Sequence, residues 1–401
     1  MFSLKNNKNY FDAIIIISFI SILFYKAFNT ELSFDEAYTF LNYSYTGDTF
    51  NIGIANNHIL NSYLISLFSK VSFAEFVIRL PNLIAGIIYG LVVLKMLKDR
   101  DFKYLGYAIL LTNPYLFDFF AIARGYGLST LFLFLSSYFY LNGKDEYNLK
   151  SFLFIILSTL SYHTTVVFLI VFWIFKLKIT IKNLKSIVFL ALNSVISLVI
   201  FLNIYILFNI TRPGKPLYGI DELSIFDLLF GSFGFVALYI NKNLFFILFI
   251  NILFYIPVFV QTKFNKKQKL LFFISYLSII LIYVIPIFIG RPFPLLRAVL
   301  PFFSPVLLLI YESIVIIFKN QKRSFSNKIT LIVFLILTSN IIFQIDMTET
   351  IDWKDDFSKK QILQLANDSC EYLMPYSELG PVGQYYRLIN NEVYLSCFDN
   401  K

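Results

Sequence analysis

Residues Ser151–Phe175 read SFLFIILSTLSYHTTVVFLIVFWIF, an apolar run bounded by Lys144 to Lys150 on one side and Lys176 to Lys185 on the other. Basic residues flanking an inserted segment stay on the side where the chain is made, so both ends of this run belong to the same face of a membrane. A helix rises 1.5 Å per residue, and two crossings of a core about 30 Å thick need roughly 40 residues. The run is too short for that and is expected as two short helices that dip in and out, with Tyr162-His163-Thr164-Thr165 at the turn. Irregular backbone at that depth is tolerated only beside protein or a water-filled cavity. The hairpin should therefore line a cavity.

The same logic extends to the whole chain of 401 residues, of which 58% are hydrophobic and only 15% charged. Soluble domains hold about 45–50% and about 25%. Repeated apolar runs of roughly 18 residues or more point to an all-α polytopic membrane protein. The net charge of +9 would suit a nucleic-acid partner if it formed one patch. Instead, twenty of the 34 Lys and Arg fall in six short stretches: Lys5 to Lys8, Lys95 to Lys103, Lys144 to Lys150, Lys176 to Lys185, Lys263 to Lys269 and Lys319 to Lys328. Of the acids, only Asp99, Asp101, Asp145 and Glu146 share them. This is a topology signal, and it excludes nucleic acid as the partner.

With the six stretches on the cytoplasmic side, every segment between two of them crosses an even number of times. Phe11 to Phe28, taken as an uncleaved first span, leads outward to a large first extracytoplasmic loop. Phe73 to Leu97 returns, and Tyr104 to Asn142 forms a hairpin with Asp118 and Ala123-Arg124-Gly125-Tyr126-Gly127 near its outer tip. Ile187 to Phe208 and Leu244 to Val260 flank a second outer loop holding Arg212 and Lys215. Leu270 to Ile289 and Leu300 to Phe318 flank Arg291 and Arg297, and Ile329 to Phe343 leads out. The expected total is about 11 crossings, counting the short hairpin as two. The polytopic module covers residues 1–344 and a small extracytoplasmic tail covers 345–401. Cys370 and Cys397 in that tail would pair in an oxidising compartment or stay as two thiols.

The polar residues gather at the outer face. Asp35 and Glu36 follow the first span in the stretch Glu31-Leu32-Ser33-Phe34-Asp35-Glu36-Ala37-Tyr38-Thr39. Such a pair suits the first turn of a surface helix, where acids meet the positive end of the macrodipole. It also suits acid–base work on a hydroxyl, with one carboxylate as base and the other orienting the acceptor or holding a metal. Neighbouring helical positions point in different directions, so Asp35 is the first choice for the base. His58 and His163 are the only two histidines and both fall at this face. Neither has a second histidine close in sequence, so no zinc motif forms, and a divalent metal held by carboxylates stays open. Arg124 precedes Gly125 and Gly127, which permit close backbone approach, and its guanidinium suits bidentate capture of a phosphate. Tyr126 reads first as an interface aromatic, and Arg291 and Arg297 read equally as headgroup anchors.

Together, Asp35-Glu36-Ala37 in the first loop, Asn57-His58 before an apolar helix, Arg79-Leu80-Pro81 opening the second span and Ala123-Arg124-Gly125-Tyr126 resemble the GT-C membrane glycosyltransferases. The style is that of the protein mannosyltransferases, the aminoarabinose transferases of lipid A and similar bacterial envelope enzymes. The resemblance covers the first half in ordered motifs and the second half in topology. His58 is followed by Ile59-Leu60 where the family often has Pro-Leu, and a short tail stands where some relatives carry a large soluble domain.

The resemblance implies a sugar transferase working on the outer-leaflet side; charge placement adds a cytoplasmic N-terminus in the plasma (bacterial inner) membrane, and the expected chemistry is an inverting displacement with an extracytoplasmic active site. The enzyme would move a sugar from a polyprenyl-phosphate donor to a glycan, lipid or protein acceptor of the cell envelope. Asp35, with Glu36 and His58, would be catalytic. Arg124 would lie near the donor phosphate by the resemblance; by their expected placement at the outer face, Tyr126 and Arg297 would join it there, and Asp118, His163 and Arg291 would line the cavity. A transporter or flippase for lipid-linked glycans is the rival, yet such proteins commonly show paired halves, and none is visible here. A glycan polymerase or ligase would share the arginines and histidines without an Asp-Glu pair straight after the first span.

Overall fold

The structure is a computed structural model that describes residues 4–50, 57–143, 149–182, 195–200, 253, 255–289, 299–319, 338, 347 and 380–389. The elements are helices, and no strand occurs among the described residues. Helix α1 spans Leu4–Asn29. The first loop then folds into α2 (Phe34–Thr39), a π-helical turn Phe40–Tyr45 and α3 (Ile59–Ser69). Helix α4 spans Glu75–Leu97, α5 Lys103–Leu111, α6 Pro114–Ala121 and α7 Gly125–Asn142. Helices α8 (Leu149–Ser161) and α9 (Val166–Lys182) follow, then α10 (Lys266–Ile289), α11 (Leu300–Phe318) and, in the tail, α12 (Gly380–Ile389).

Among the described residues, Tyr10–Asn29, Glu75–Leu97 and Leu300–Phe318 are long and apolar enough to cross a membrane. A fourth candidate is the pair α6 and α7, bent by 119° where they meet. The expected crossings Ile187–Phe208, Leu244–Val260 and Ile329–Phe343 lie largely outside the described residues. So do Arg212, Lys215, Arg291, Arg297, Cys370 and Cys397.

Helices α1 and α4 run antiparallel. Phe28 at the end of α1 stacks on Phe76 at the start of α4 with ring centroids 3.8 Å apart, while Gly90 near the far end of α4 lets Phe19 in. Two sets of polar contacts mark opposite ends of this bundle. At one end Lys103 pairs with Asp12, Arg100 with Glu312, and Gln268 donates to the other oxygen of Glu312. Lys267 donates to the carbonyl of Gly143 at that same end, so stretches of sequence that carry the basic residues converge there. At the other end lie the break between α6 and α7, the start of α4 and the helices of the first loop.

The hairpin expected from Ser151 to Phe175 is present. Helix α8 ends at Ser161, a 3-10 turn covers His163–Thr165, and α9 returns with Phe172 edge-on to Phe152 at 4.8 Å. The limb before α7 departs from expectation, because Tyr104 onward does not form one long helix. Thr112 and Asn113 interrupt it, Asn113 caps α6 by accepting from the N–H of Tyr115, and Pro114 takes the first helical position. Proline lacks the N–H that a continuous helix would need there.

The tail contributes to the packing of the first loop. Val382, Tyr385 and Tyr386 of α12 are buried with Leu32, Ala37, Phe40, Ile65, Ile78 and Ala123. The Tyr385 ring meets Phe40 edge-on at 5.3 Å, and its hydroxyl donates to the carbonyl of Phe73 at 2.6 Å. This part of the tail is therefore built onto the elements that carry Asp35.

Candidate functional site

The site begins with the start of α2. Ser33 is extended and accepts from the N–H of Glu36, while the Glu36 carboxylate accepts from the N–H of Ser33 at 3.0 Å. This reciprocal cap satisfies two helix-terminal donors and sets the direction of a helix of only six residues. It was legible as Ser-x-x-Glu and was missed by reading Asp35 and Glu36 only as an acidic pair.

Glu36 is then clamped from two sides. Arg79, near the start of α4, donates from Nε to Oε1 at 2.9 Å and from Nη2 to Oε2 at 3.0 Å. The N–H of Ala123, in the break between α6 and α7, donates to Oε1 at 2.6 Å. Arg79 spends its other N–H groups on the carbonyls of Ala27, Thr30 and Glu31, so one guanidinium ties the end of α1 to the start of α4 and to α2. Burial alone would push the Glu36 carboxyl up. The charge and hydrogen bonds of Arg79, with the N–H groups of Ala123 and Ser33, outweigh it and hold the carboxyl below its ordinary value. Glu36 was expected beside Asp35 as a second catalytic carboxylate. Its oxygens are instead committed to the scaffold, because adjacent positions on a helix face different neighbours.

Asp35 faces the other way, toward Arg124. The Arg124 guanidinium lies 3.4 Å from Oδ2 of Asp35, donates from Nη1 to the Asp35 carbonyl at 3.3 Å and to Thr39 Oγ1 at 3.0 Å, and sits 5.7 Å from the centre of the Tyr126 ring. Both residues are buried, Arg124 to 1% exposure and Asp35 to 7%. Arg124 occupies the residue before α7, where the backbone is extended, and the turn that presents it is pinned by two asparagines. Asn61 donates to the carbonyl of Ala123, and Asn82 donates to Asn61 while accepting from the N–H of Leu128.

Glycine is required at this turn. A Cβ on Gly125 would run into the carbonyl oxygen of Ser161 and come within 2.8 Å of His58 Cβ, and one on Gly127 would strike the carbonyl of Phe119. The first turn of α7 thus lies directly against the end of α8 and the start of α3. This close approach joins the hairpin tip to the first loop.

Four rings gather beside Arg124. His58, at the residue before α3, lies 5.3 Å from Tyr126, 5.1 Å from Tyr162 and 6.0 Å from His163, while Tyr126 and Tyr162 are 4.6 Å apart. Nδ1 of His163 is buried with no hydrogen-bond partner among the described residues. Asp35, His58, Arg124, Tyr126 and His163 are thus brought to one region, with Tyr162 and Thr39 as members that sequence reasoning passed over. Asp118 is not among them. Expected to line a cavity, it pairs with Lys26 at 2.8 Å between α6 and α1, both side chains almost fully buried. A charge among apolar helices needs such a counter-charge. Arg291 and Arg297 lie outside the described residues.

Among the described residues, no three His, Cys, Asp or Glu side chains converge as a metal site would need. No family model, curated protein or solved structure matches the chain, so its chemistry has to be read from the geometry around Asp35 and Arg124.

Proposed function

We propose that this chain is a membrane glycosyltransferase of the GT-C type, taking a sugar from a polyprenyl-phosphate donor and delivering it to a hydroxyl of an envelope glycan, lipid or protein. The observation that carries the reading is the meeting of Asp35 with Arg124, residues 89 apart in sequence, beside two histidines and at the break between α6 and α7. A carboxylate to take a proton and a guanidinium to receive an anion are the two groups this displacement needs. The buried Nδ1 of His163, which has no hydrogen-bond partner among the described residues, adds a polar atom for which a ligand is the natural complement.

The reaction is an inverting displacement. The acceptor oxygen forms its bond to the anomeric carbon as the bond from that carbon to the phosphate oxygen breaks. The phosphate leaves with the electron pair, and the acceptor proton passes to the Asp35 carboxylate. Arg124 stabilises the charge that develops on the departing phosphate, and loss of such a contact typically costs about 10²–10³ in rate. Glu36 and Arg79 act as positioning residues that hold α2 in place. Purified protein in lipid nanodiscs, given polyprenyl-phosphate sugars and envelope acceptors, should transfer the sugar. Asp35→Asn should fold and insert normally yet abolish transfer; full activity in that variant would end the reading.

A further inference from the structure

The base and the phosphate ligand of the proposed reaction are each other's partners in this structure. Arg124 is held by two kinds of contact. Nη1 is anchored by the Asp35 carbonyl and the Thr39 hydroxyl, both fixed to α2, while Nη2 meets the carboxylate of Asp35 at 3.4 Å. That separation exceeds the 2.9 Å of the neighbouring Glu36–Arg79 pair. The carboxylate contact is thus the longer one, and the anchoring of Nη1 does not depend on it.

A phosphate and a carboxylate are both oxyanions that a guanidinium takes along the same edge, and two such groups compete for it. Building on the transferase reading, we infer that Asp35 is a built-in competitor for the donor phosphate: the phosphate displaces its carboxylate from Nη2, and only then is the carboxylate released to meet the acceptor. Binding is therefore ordered, donor before acceptor. The anchoring of Nη1 keeps the guanidinium in place during the exchange. The leaving polyprenyl monophosphate carries more charge than the donor diester, about −1.5 to −2, so it competes with Asp35 more strongly and inhibits as product.

The test is direct binding of a polyprenyl monophosphate to the full chain in nanodiscs of neutral lipid. Inorganic phosphate and nanodiscs containing an anionic phospholipid serve as separate arms that distinguish the lipid-linked phosphate from other sources. Asp35→Asn should bind the polyprenyl phosphate about tenfold more tightly, the equivalent of about 1.4 kcal/mol, while Arg124→Gln should lose binding. Asp35→Ala serves as a second variant if the asparagine form is poorly folded. Equal or weaker binding in folded Asp35 variants overturns the competition while leaving phosphate binding intact. Tighter binding in Asp35→Asn without sugar transfer by the unmodified protein upholds the competition and overturns the transferase. Absence of binding to the unmodified protein and to the folded Asp35 variants alike overturns both.

Discussion

Glu36 and Arg79 are 43 residues apart in sequence, yet Oε1 of one lies 2.9 Å from Nε of the other with both side chains wholly out of solvent. Two charges held this way brace α2 against the ends of α1 and α4, and the same carboxylate receives the N–H of Ala123 next to Arg124. The scaffold beneath Asp35 and the turn beneath Arg124 thus share one oxygen.

Removal of one partner from such a pair leaves the other charged and dry, at a cost of about 3–5 kcal/mol. Glu36→Ala should lower the unfolding free energy in detergent by an amount of that order, read as a lower thermal midpoint. The pH dependence follows from the direction of the shift. The folded-state carboxyl lies below its ordinary value of 4.5, so its stabilisation is fully present above that value and is lost as pH falls through the lowered folded value. The acid limb of the midpoint-versus-pH curve should be steep in the unmodified protein and flatter in Glu36→Gln. Parallel limbs would remove Glu36 as the source.

Gly125 stands where any Cβ would press on the Ser161 carbonyl and on His58. Backbone cannot yield as a flexible side chain would, so Gly125→Ala should separate the first turn of α7 from the end of α8 and displace Arg124. We expect binding of polyprenyl phosphate to fall at least as far as in Arg124→Gln. Gly47→Ala provides a contrast, because its Cβ would meet nothing within 4 Å although its φ of +77° makes it strained. Loss of phosphate binding only in Gly125→Ala supports the close approach; equal loss in both variants would point to general destabilisation.

Lys26 and Asp118 form an ion pair at 2.8 Å between α1 and α6. Pairs of this kind are strongly destabilising to break singly and commonly neutral to replace together by apolar residues. Lys26→Met and Asp118→Leu should each lower stability by several kcal/mol, and the double variant should recover most of it, as read by thermal unfolding in detergent. If the double variant also retains sugar transfer, the pair is structural. Loss of transfer in a stable double variant would bring Asp118 back to the chemistry.

The local features of the sequence carried the class and much of the layout. Hydropathy and charge placement are properties of short segments, so the apolar candidate spans near Phe11–Phe28, Phe73–Leu97 and Leu300–Phe318 and the helix break at Tyr162 to Thr165 were readable one stretch at a time. The interruption at Thr112–Asn113 was also written locally, in Asn-Pro, but the apolar residues on either side concealed it. The polar residues of the first loop, Arg124 and the two histidines were recognisable as a set for the same reason: charges and imidazoles are sparse in such a chain.

Only the tertiary structure decided what each of them does. Asp35 and Glu36 are adjacent, and although Ser-x-x-Glu marks Glu36 as the capping carboxylate, no local rule says that one will meet Arg124 and the other Arg79. Their partners come from 89 and 43 residues away, and the choice between them depends on the angle at which α2 leaves α1, which Ser33 and Glu36 set by capping. Asp118 likewise took its place from Lys26 on a neighbouring helix. Sequence determined that this chain is helical, apolar and polar at chosen breaks, because those follow from short-range chemistry. Which carboxylate is scaffold and which faces the arginine at α7 was settled by long-range packing, where each buried charge is held by the counter-charge its fold brings to it.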